Sequence, residues 1–217
     1  MLNLLIILND KEWTKVELEF NSNQLPQNMI SAIFKYKHWS DIQARILGKL
    51  LLKKQLYDFN TCLDLSAIKI NSLNKPYVDD AFNFSISHSG QLVACLAGTD
   101  AVLGIDIEFM KPQHNQYPIE FFTNEECVYL ANSEQQTTEF YKLFTRKEAL
   151  AKACGEGILM DFSKHSVLNE NVILNGICYY LSTFIFLNQY MISYVTNSAK
   201  QLLNTELVTI NLLTNNS

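Results

Sequence analysis

The chain has 217 residues, of which 48% are hydrophobic and 18% are charged, and its formal net charge is -5. This composition is typical of a globular protein with ample apolar material for a core, and the length suits one large domain or two small ones. The acidic balance, with no long basic run to offset it, excludes a general nucleic-acid binder.

The opening stretch, MLNLLIILND, is apolar over only about seven residues, which is too short to cross a bilayer. It has neither the basic lead nor the small-residue cleavage site of a signal peptide, so we expect a first β-strand there. Five cysteines are scattered without ligand-like spacing, at Cys62, Cys95, Cys127, Cys154 and Cys178. This odd set favours free thiols in a cytoplasmic protein over a disulfide framework or a structural zinc site.

A helix and three strands are predicted next along the chain. The stretch SDIQARILGKLLLKKQLYDF offers Ser40 as a helix N-cap, followed by apolar residues at helical spacing. After the turn-forming NSLNKPYVDD, the alternation in FNFSISHSG predicts a half-buried strand. QLVACLAG and VLGIDIE are two more short strands, separated by the turn GTDA.

The remainder of the chain begins with helices and ends with strands. TNEECVYLANSE opens with Thr123 as N-cap and Glu126 three residues later, which together form a capping box. TEFYKLFTRKEALAKACGEG predicts a second helix that ends at Gly155. The alternating stretches ICYYLSTFIF, YMISYV and ELVTINLL predict three strands.

The order of helix and then strands thus occurs twice, which favours an α+β fold. We predict a pseudo-twofold arrangement of two similar α/β halves, each a small antiparallel-rich sheet packed with helices. The division is expected after residue 101, with an N-terminal half of residues 1–101 and a C-terminal half of residues 102–217.

Two carboxylates lie close together in the strand VLGIDIE. Asp106 and Glu108 are two residues apart, so both side chains point to the same face of the strand and repel each other. Either this strand end is solvated, where like charges cost little, or the pair holds a hard cation such as Mg²⁺. A third carboxylate would strengthen the second interpretation, and Glu148 in RKEALAK is the best candidate.

Glu148 and Lys152 are four residues apart and share a helix face, which on its own indicates an ordinary surface pair. Arg146 and Lys147 add positive charge beside them. Three carboxylates with several cations would suit a metal-bridged pyrophosphate. In SISHSG, His88 is either a hydrogen-bonded histidine at a strand end or part of a small-residue turn whose N–H groups can approach a phosphate.

These stretches resemble the sequence blocks of the 4′-phosphopantetheinyl transferases, specifically of the larger, surfactin-synthetase-activating type. NKPY with FNFSISHSG is similar to the first block, GIDIE to the second and FYKLFTRKEALAKACGEG to the third. FFTNEE is a weaker fourth match. The resemblance covers residues 74–158, and its specificity rests on the order and separation of the blocks, since each alone is short.

The resemblance implies a reaction and its site. A carrier-protein serine would attack the β-phosphate of coenzyme A, take up the phosphopantetheine arm and release adenosine 3′,5′-bisphosphate. By the family pattern, Asp106, Glu108 and Glu148 would hold Mg²⁺, and Lys152, assisted by Lys147, would neutralise charge on the phosphates. Glu148 or a water bound to the metal would be the general base, with Asp106, Glu148 and Lys152 as catalytic residues.

The resemblance also implies a coenzyme A site in the N-terminal half. The adenine and the 3′-phosphate would lie against Lys75, Pro76, Ser87, His88 and Ser89, with His88 as a phosphate contact. The C-terminal half would then supply the metal strand and the KEA helix.

Arg45 departs from the family pattern. The family commonly has an arginine four residues before a helical glycine as a phosphate contact, but here Ala44 holds that place and Arg45 follows it. One position is about 100° of rotation on a helix, so Arg45 either contacts the phosphate or pairs with Asp41 instead. Other cations are available as substitutes, namely Lys35, Lys37 and Lys49.

The expected partners are coenzyme A and an acyl or peptidyl carrier protein, without nucleic acid or membrane. Carrier proteins are acidic, so docking on this acidic chain needs a local basic patch, for which Lys142 and Arg146 are candidates, although a solvated helix face is the alternative. The resemblance further implies a cytoplasmic monomer. Two other functions remain open: another metal-dependent phosphoryl-transfer enzyme, and a non-catalytic homologue that binds coenzyme A or a carrier protein.

Overall fold

The computed structural model describes residues 1–73, 75–78, 81–99, 102–111, 118–157, 160–199 and 202–214. They form two compact units. The first unit holds the described parts of Met1–Asn71, Pro76–Thr99 and Leu202–Ser217, and the second holds those of Ser72–Lys75 and Asp100–Gln201. The end of the chain therefore belongs to the first unit, whereas a single division after residue 101 would assign it to the second.

The first unit contains a mixed sheet, a two-stranded ribbon and four helices. Its elements are β1 (Leu2–Leu8), α1 (Lys15–Ser22), α2 (Gln27–Ile33), α3 (Trp39–Asp58), β2 (Lys69–Ile70), β3 (Pro76–Tyr77), β4 (Phe82–Ser89), β5 (Leu92–Thr99), β10 (Leu203–Leu207) and α6 (Ile210–Thr214). The sheet has the order β10-β1-β5-β4, in which only β1 and β10 are parallel. The ribbon is the antiparallel pair of β2 and β3.

The core of the first unit lies between its sheet and α3. β1 is an inner strand that is buried over all but its last residue, which explains why its sequence LNLLIIL is apolar except at Asn3 rather than alternating. The predicted helix is confirmed as α3, but it begins earlier than expected: His38 is the N-cap and Ser40 lies within the first turn. Two buried amides hold α3 in place. Gln55 bonds to Asn3 and to a β5 carbonyl, and Gln43 bonds to Asn9.

The second unit contains an antiparallel sheet and two helices. Its elements are β6 (Leu103–Phe109), α4 (Asn124–Asn132), α5 (Gln136–Cys154), β7 (Asn171–Leu174), β8 (Ile177–Phe186) and β9 (Tyr190–Thr196). The strand order is β6-β9-β8-β7, with every neighbouring pair antiparallel. α5 packs across β6, β9 and β8, and α4 packs against α5.

The signals predicted for the ends of these helices are confirmed. Thr123 caps α4, and Glu126 closes the capping box by bonding to the Thr123 N–H. α5 ends at Gly155, which has the left-handed φ of 82° that glycine adopts without a side-chain clash.

The prediction of a last strand over ELVTINLL is wrong for the residues that follow Leu207. β10 ends at Leu207, the Val208 N–H bonds to the Ile6 carbonyl, and α6 begins at Ile210. A short apolar run suits a strand or a buried helical turn equally well, so periodicity alone does not separate the two. Here Leu213 and Val208 both enter the core of the first unit.

The predicted fold class is confirmed as α+β with antiparallel-rich sheets, each packed against a long helix. Among the described residues, no helix is long and apolar enough to span a membrane.

Candidate active site

The candidate site is built where β6 and α5 approach each other in the second unit. Gly104 permits this approach: a Cβ atom at that position would clash with the Ala149 carbonyl oxygen and lie 2.6 Å from the Ala153 nitrogen, both in the backbone of α5. A methyl group cannot fit between two backbones at this distance. Glycine is therefore required at the start of GIDIE for the strand to lie directly on the helix.

The side chains that share a strand face with Gly104 point towards α5. Side chains alternate along a strand, so Asp106 and Glu108 lie on that same face. Asp106 is paired in register with Ser193 of β9, and the Ser193 hydroxyl lies 2.7 Å from the hydroxyl of Thr145 on α5. The two carboxylates thus lie on the same face of β6, as predicted, and this is the face that packs against α5.

Asp106 is held by a lysine from α5. Its side chain is buried, with 5% of the residue exposed, and its Oδ1 accepts a hydrogen bond of 2.7 Å from the Lys152 Nζ. About a third of the Lys152 side chain remains exposed, at 32%. The Lys152 ammonium thus places a positive charge beside Asp106.

Glu148 lies one turn before Lys152, within electrostatic reach of Asp106. Burial raises the pKa of Glu148, the Asp106 carboxylate raises this pKa further, and Lys152 opposes both effects. Two carboxylates and one ammonium therefore share this junction. A carboxylate with a raised pKa is a better proton acceptor than an ordinary surface glutamate.

The donors here are all oxygens, which suits a hard divalent cation. Glu108 is half-buried at the end of the same strand. However, in the part of the chain that the structure describes, no three His, Cys, Asp or Glu side chains are gathered closely enough to hold a metal ion. A cation that binds Asp106 through Oδ1 would have to displace the Lys152 ammonium.

Comparison with known proteins identifies the family. Residues 102–195, from β6 to β9, match the family model of the 4'-phosphopantetheinyl transferase superfamily. The 4'-phosphopantetheinyl transferase gsp of Aneurinibacillus migulanus is 30% identical over 161 residues, which cover 73% of this chain and 68% of that protein. The chain belongs to the 4'-phosphopantetheinyl transferase superfamily.

Two further members of this superfamily have similar identity over shorter alignments. The 4'-phosphopantetheinyl transferase Sfp of Bacillus subtilis (strain 168) is 31% identical over 139 residues, and a 4'-phosphopantetheinyl transferase of Bacillus subtilis is 30% identical over 139 residues. Each alignment covers 61% of this chain and 61% of the relative. The predicted resemblance and the enzyme class are thus confirmed.

Lys147 of this phosphopantetheinyl transferase is not brought to the carboxylates. Its Nζ lies 2.7 Å from Glu126 Oε2 and donates to the carbonyl oxygens of Phe162 at 2.8 Å and His165 at 2.7 Å. Its side chain is 2% exposed. The ammonium has three partners in the interior, so the prediction that Lys147 binds coenzyme A is corrected to a structural role.

Arg146 is also used by the interior. Its guanidinium bonds to the Thr183 hydroxyl and to the carbonyls of Val167, Leu168 and Asn169, and only 6% of the residue is exposed. It therefore cannot contribute to the basic docking patch predicted with Lys142.

The residues predicted for the nucleotide lie in different parts of the fold. Pro76 is in β3, and Ser87, His88 and Ser89 form the end of β4, with His88 paired in register with Val93 of β5. Ser87 is buried and its two neighbours are half-buried. These three residues are therefore strand residues, as in the strand-end interpretation of His88, and the turn of the β4–β5 hairpin comes only after them.

Lys75 belongs to the second unit, where its Nζ donates to the carbonyl oxygens of Ala153 at 2.8 Å and Leu103 at 3.3 Å. Arg45, on α3 of the first unit, stacks its guanidinium carbon 3.6 Å from the centre of the Tyr36 ring. Its Nε is buried without a hydrogen-bond partner. Among the residues described, no ion pair joins Arg45 to Asp41, the other partner expected for it.

The sequence did not predict three features of the second unit: the partner of Lys147, the close packing at Gly104 and the bridging contacts of Lys75. Glu126 was identified only as a helix cap. The sequence does contain a signal for this ion pair: two consecutive basic residues, Arg146 and Lys147, lie among apolar residues on the helix that follows Glu126. The Gly104 contact was signalled by a glycine inside a buried strand, which often marks a close approach of another backbone.

Proposed function

We propose that this protein transfers the 4′-phosphopantetheine arm of coenzyme A to a serine of an acyl or peptidyl carrier protein in a Mg²⁺-dependent reaction. The observation that carries the proposal is the junction of β6 and α5, where Asp106 bonds to Lys152 at 2.7 Å and raises the pKa of Glu148. Membership of the superfamily supplies the reaction class.

Asp106, Glu108 and Glu148 are the residues proposed to hold Mg²⁺, which requires their side chains to draw together and the Lys152 ammonium to move off Asp106 Oδ1. When bound, the ion neutralises negative charge on the pyrophosphate of coenzyme A. Lys152, whose side chain is about a third exposed at 32%, is proposed as a second source of positive charge for the phosphate oxygens at the same place.

Glu148 is proposed as the general base. The serine Oγ forms a bond to the β-phosphorus, and the bond from that phosphorus to the bridging oxygen breaks. The serine proton passes to the Glu148 carboxylate, while the electron pair leaves with adenosine 3′,5′-bisphosphate. The position of Glu148 one turn from Lys152 and within electrostatic reach of Asp106 supports this role, because a general base has to lie beside the reacting groups.

The nucleotide of coenzyme A is proposed to bind residues of the first unit: Pro76, Ser87, His88, Ser89 and Arg45. The unpartnered, buried Nε of Arg45 supports its place in this set, because a phosphate oxygen would satisfy that donor. We further propose a monomer that acts in the cytoplasm, where the five free cysteines would stay reduced.

The deciding experiment is intact-mass spectrometry of apo carrier proteins incubated with this protein, coenzyme A and Mg²⁺. A gain of one phosphopantetheine that is lost with EDTA is the expected result. The same gain in the presence of EDTA would contradict the metal assignment. No gain on fatty-acid and peptidyl carriers alike would overturn the proposed transfer, and calorimetry with coenzyme A would then separate a binding homologue from another phosphoryl-transfer enzyme.

A further inference from the structure

The side chain of Lys75 points into the second unit and reaches two main-chain carbonyls. Its ammonium donates to Ala153, in the last turn of α5, and to Leu103, the first residue of β6. The last four carbonyls of a helix lack partners within the helix, and the negative end of the helix dipole attracts a cation there. The Lys75 ammonium therefore gives a hydrogen bond to a carbonyl at the end of α5 and, at the same time, to a carbonyl of the edge strand β6.

The stem of Lys75 is also packed against the end of α5. A Cβ atom placed on Gly155 would lie 3.5 Å from the Lys75 Cδ and 3.8 Å from the Leu73 Cδ1, which are ordinary packing distances. Burial lowers the pKa of Lys75 to about 8, and the nearby Cys154 thiol opposes this shift. A half-buried lysine packed in this way is held more firmly than a surface lysine, which is free to rotate.

The two elements that Lys75 joins are the ones that carry the candidate site. Leu103 lies three residues before Asp106 on β6, and Ala153 directly follows Lys152 on α5. Close packing at Gly104 and the bond from Lys152 to Asp106 are two further contacts across this junction. A substitution at Gly104 would introduce a steric clash, and one at Lys152 or Asp106 would remove a proposed reacting group. Of the three contacts, only that of Lys75 can be removed without either effect.

We propose that Lys75 is a positioning residue: its ammonium holds β6 against the C-terminal end of α5 and so sets the separation of Asp106 from Glu148 and Lys152. This inference rests on the proposed transfer reaction for its consequence in catalysis. It assigns the Lys75 side chain to the protein interior rather than to coenzyme A. A small displacement of a catalytic group lowers the rate of the chemical step more than it lowers substrate affinity.

The test compares Lys75→Met, which keeps the packed stem but removes the N–H donors, with Lys75→Arg, which keeps a cation with donors. Lys69→Met is the matched control, because Lys69 is an exposed lysine in β2. Each variant is examined in the full chain by hydrogen–deuterium exchange and by steady-state transfer kinetics.

For Lys75→Met we expect amide exchange in β6 and in the last turn of α5 to become about fivefold faster, and kcat to fall about tenfold with less than about a twofold change in the KM for coenzyme A. Lys75→Arg should recover more than half of both losses, and Lys69→Met should match the wild type. A raised KM with unchanged kcat would overturn the proposal, because it would make Lys75 a ligand of coenzyme A.

Unchanged exchange in β6 and α5 for Lys75→Met would overturn it as well. If Lys75→Met does not fold, Lys75→Arg decides on its own. A small fall in kcat with faster exchange in β6 and an unchanged KM for coenzyme A would support the proposal, and a raised KM with unchanged kcat would overturn it. A wild-type protein without transfer activity would contradict the proposed function, whereas the exchange result would still decide whether Lys75 holds the strand to the helix.

Discussion

Two capping boxes in the described part of the chain have the same local geometry in very different surroundings. In α1 of the first unit, the Thr14 N–H donates to Glu17 at 2.8 Å and the Glu17 N–H donates to the Thr14 hydroxyl at 3.2 Å. In α4 of the second unit, Thr123 and Glu126 make the same two bonds, also at 2.8 and 3.2 Å. The first box is exposed, whereas Glu126 is fully buried.

Burial gives the second glutamate further partners. Glu126 also accepts a hydrogen bond of 2.7 Å from the Val167 N–H and forms the ion pair with Lys147. The equivalent Glu17 pairs with Lys11 at the surface, at 3.0 Å. The same four-residue motif thus begins a helix in both units, but in the second it also anchors the neighbouring helix α5.

That anchor fixes the rotation of α5 about its axis. Lys147 and Glu148 are consecutive, and about 100° of helix rotation separates their side chains. With Lys147 held by Glu126 on one side, Glu148 lies within electrostatic reach of Asp106 and Lys152. The three glutamates therefore have different roles. Glu17 only caps a helix, Glu126 caps one helix and orients the next, and Glu148 takes part in the proposed chemistry.

The largest expected effect comes from Glu148. Glu148→Gln should lower the rate of phosphopantetheine transfer by about 1000-fold or more, because it removes the proposed base and metal ligand. The free energy of unfolding should not fall, since burial and Asp106 already disfavour the charged form of Glu148. Intact-mass kinetics and urea unfolding measure the two quantities, with Glu139→Gln on the same helix as control. A variant within tenfold of the wild-type rate would remove Glu148 from the site.

The next largest effect is on stability and concerns the ion pair between Lys147 and Glu126. Lys147→Met leaves the fully buried Glu126 carboxylate without its cation and should lower the free energy of unfolding by about 3–5 kcal/mol. Urea unfolding of Lys147→Met and of the double variant Lys147→Met/Glu126→Gln tests the cause. The double variant should regain part of the loss, because no unpaired charge remains. A double variant no more stable than the single one would mean that lost packing, rather than charge, explains the effect.

The smallest effect is expected at the exposed box. Bonds from the Thr14 backbone, from Lys11 and from the Thr14 hydroxyl lower the pKa of Glu17 from 4.5 to about 2. Because the folded state binds the proton less well, this carboxylate stabilises the protein above pH 4.5, and the stabilisation is lost as the pH falls towards 2.

Glu17→Gln should therefore lower the midpoint of thermal unfolding slightly at pH 6, and the difference from the wild type should shrink at pH 3. Thermal unfolding at the two pH values, with the exposed Glu19→Gln as control, measures this. An equal difference at both values would show that the Glu17 charge does not contribute.

Local patterns in the sequence were sufficient to predict the elements that carry the site. The alternation around Asp106 and Glu108, the capping box at Thr123 and the glycine at the end of α5 each depend on neighbours within four residues. The structure confirms the strand, the cap and the C-terminal glycine. Local rules act in the same way wherever these stretches lie in the fold.

The role of a lysine on a helix is not local in this sense. Lys147 and Lys152 are five residues apart on α5, and the residues next to them in the sequence do not show which lysine is buried. Lys147 is buried because carbonyls from a later segment, at Phe162 and His165, converge on its ammonium. The same reason explains Lys75, whose partners lie 28 and 78 residues further along the chain.

The parallel pairing of β10 with β1 has a consequence for the order in which the protein is made. The ribosome releases residues 100–201 before it releases β10, so the second unit is fully synthesised while the first sheet still lacks its outer strand. The domain that begins first is thus the one that is completed last. Until Leu203–Leu207 arrive, the edge of β1 is an open template for other chains, and a nascent protein has to be kept apart from its neighbours for that interval.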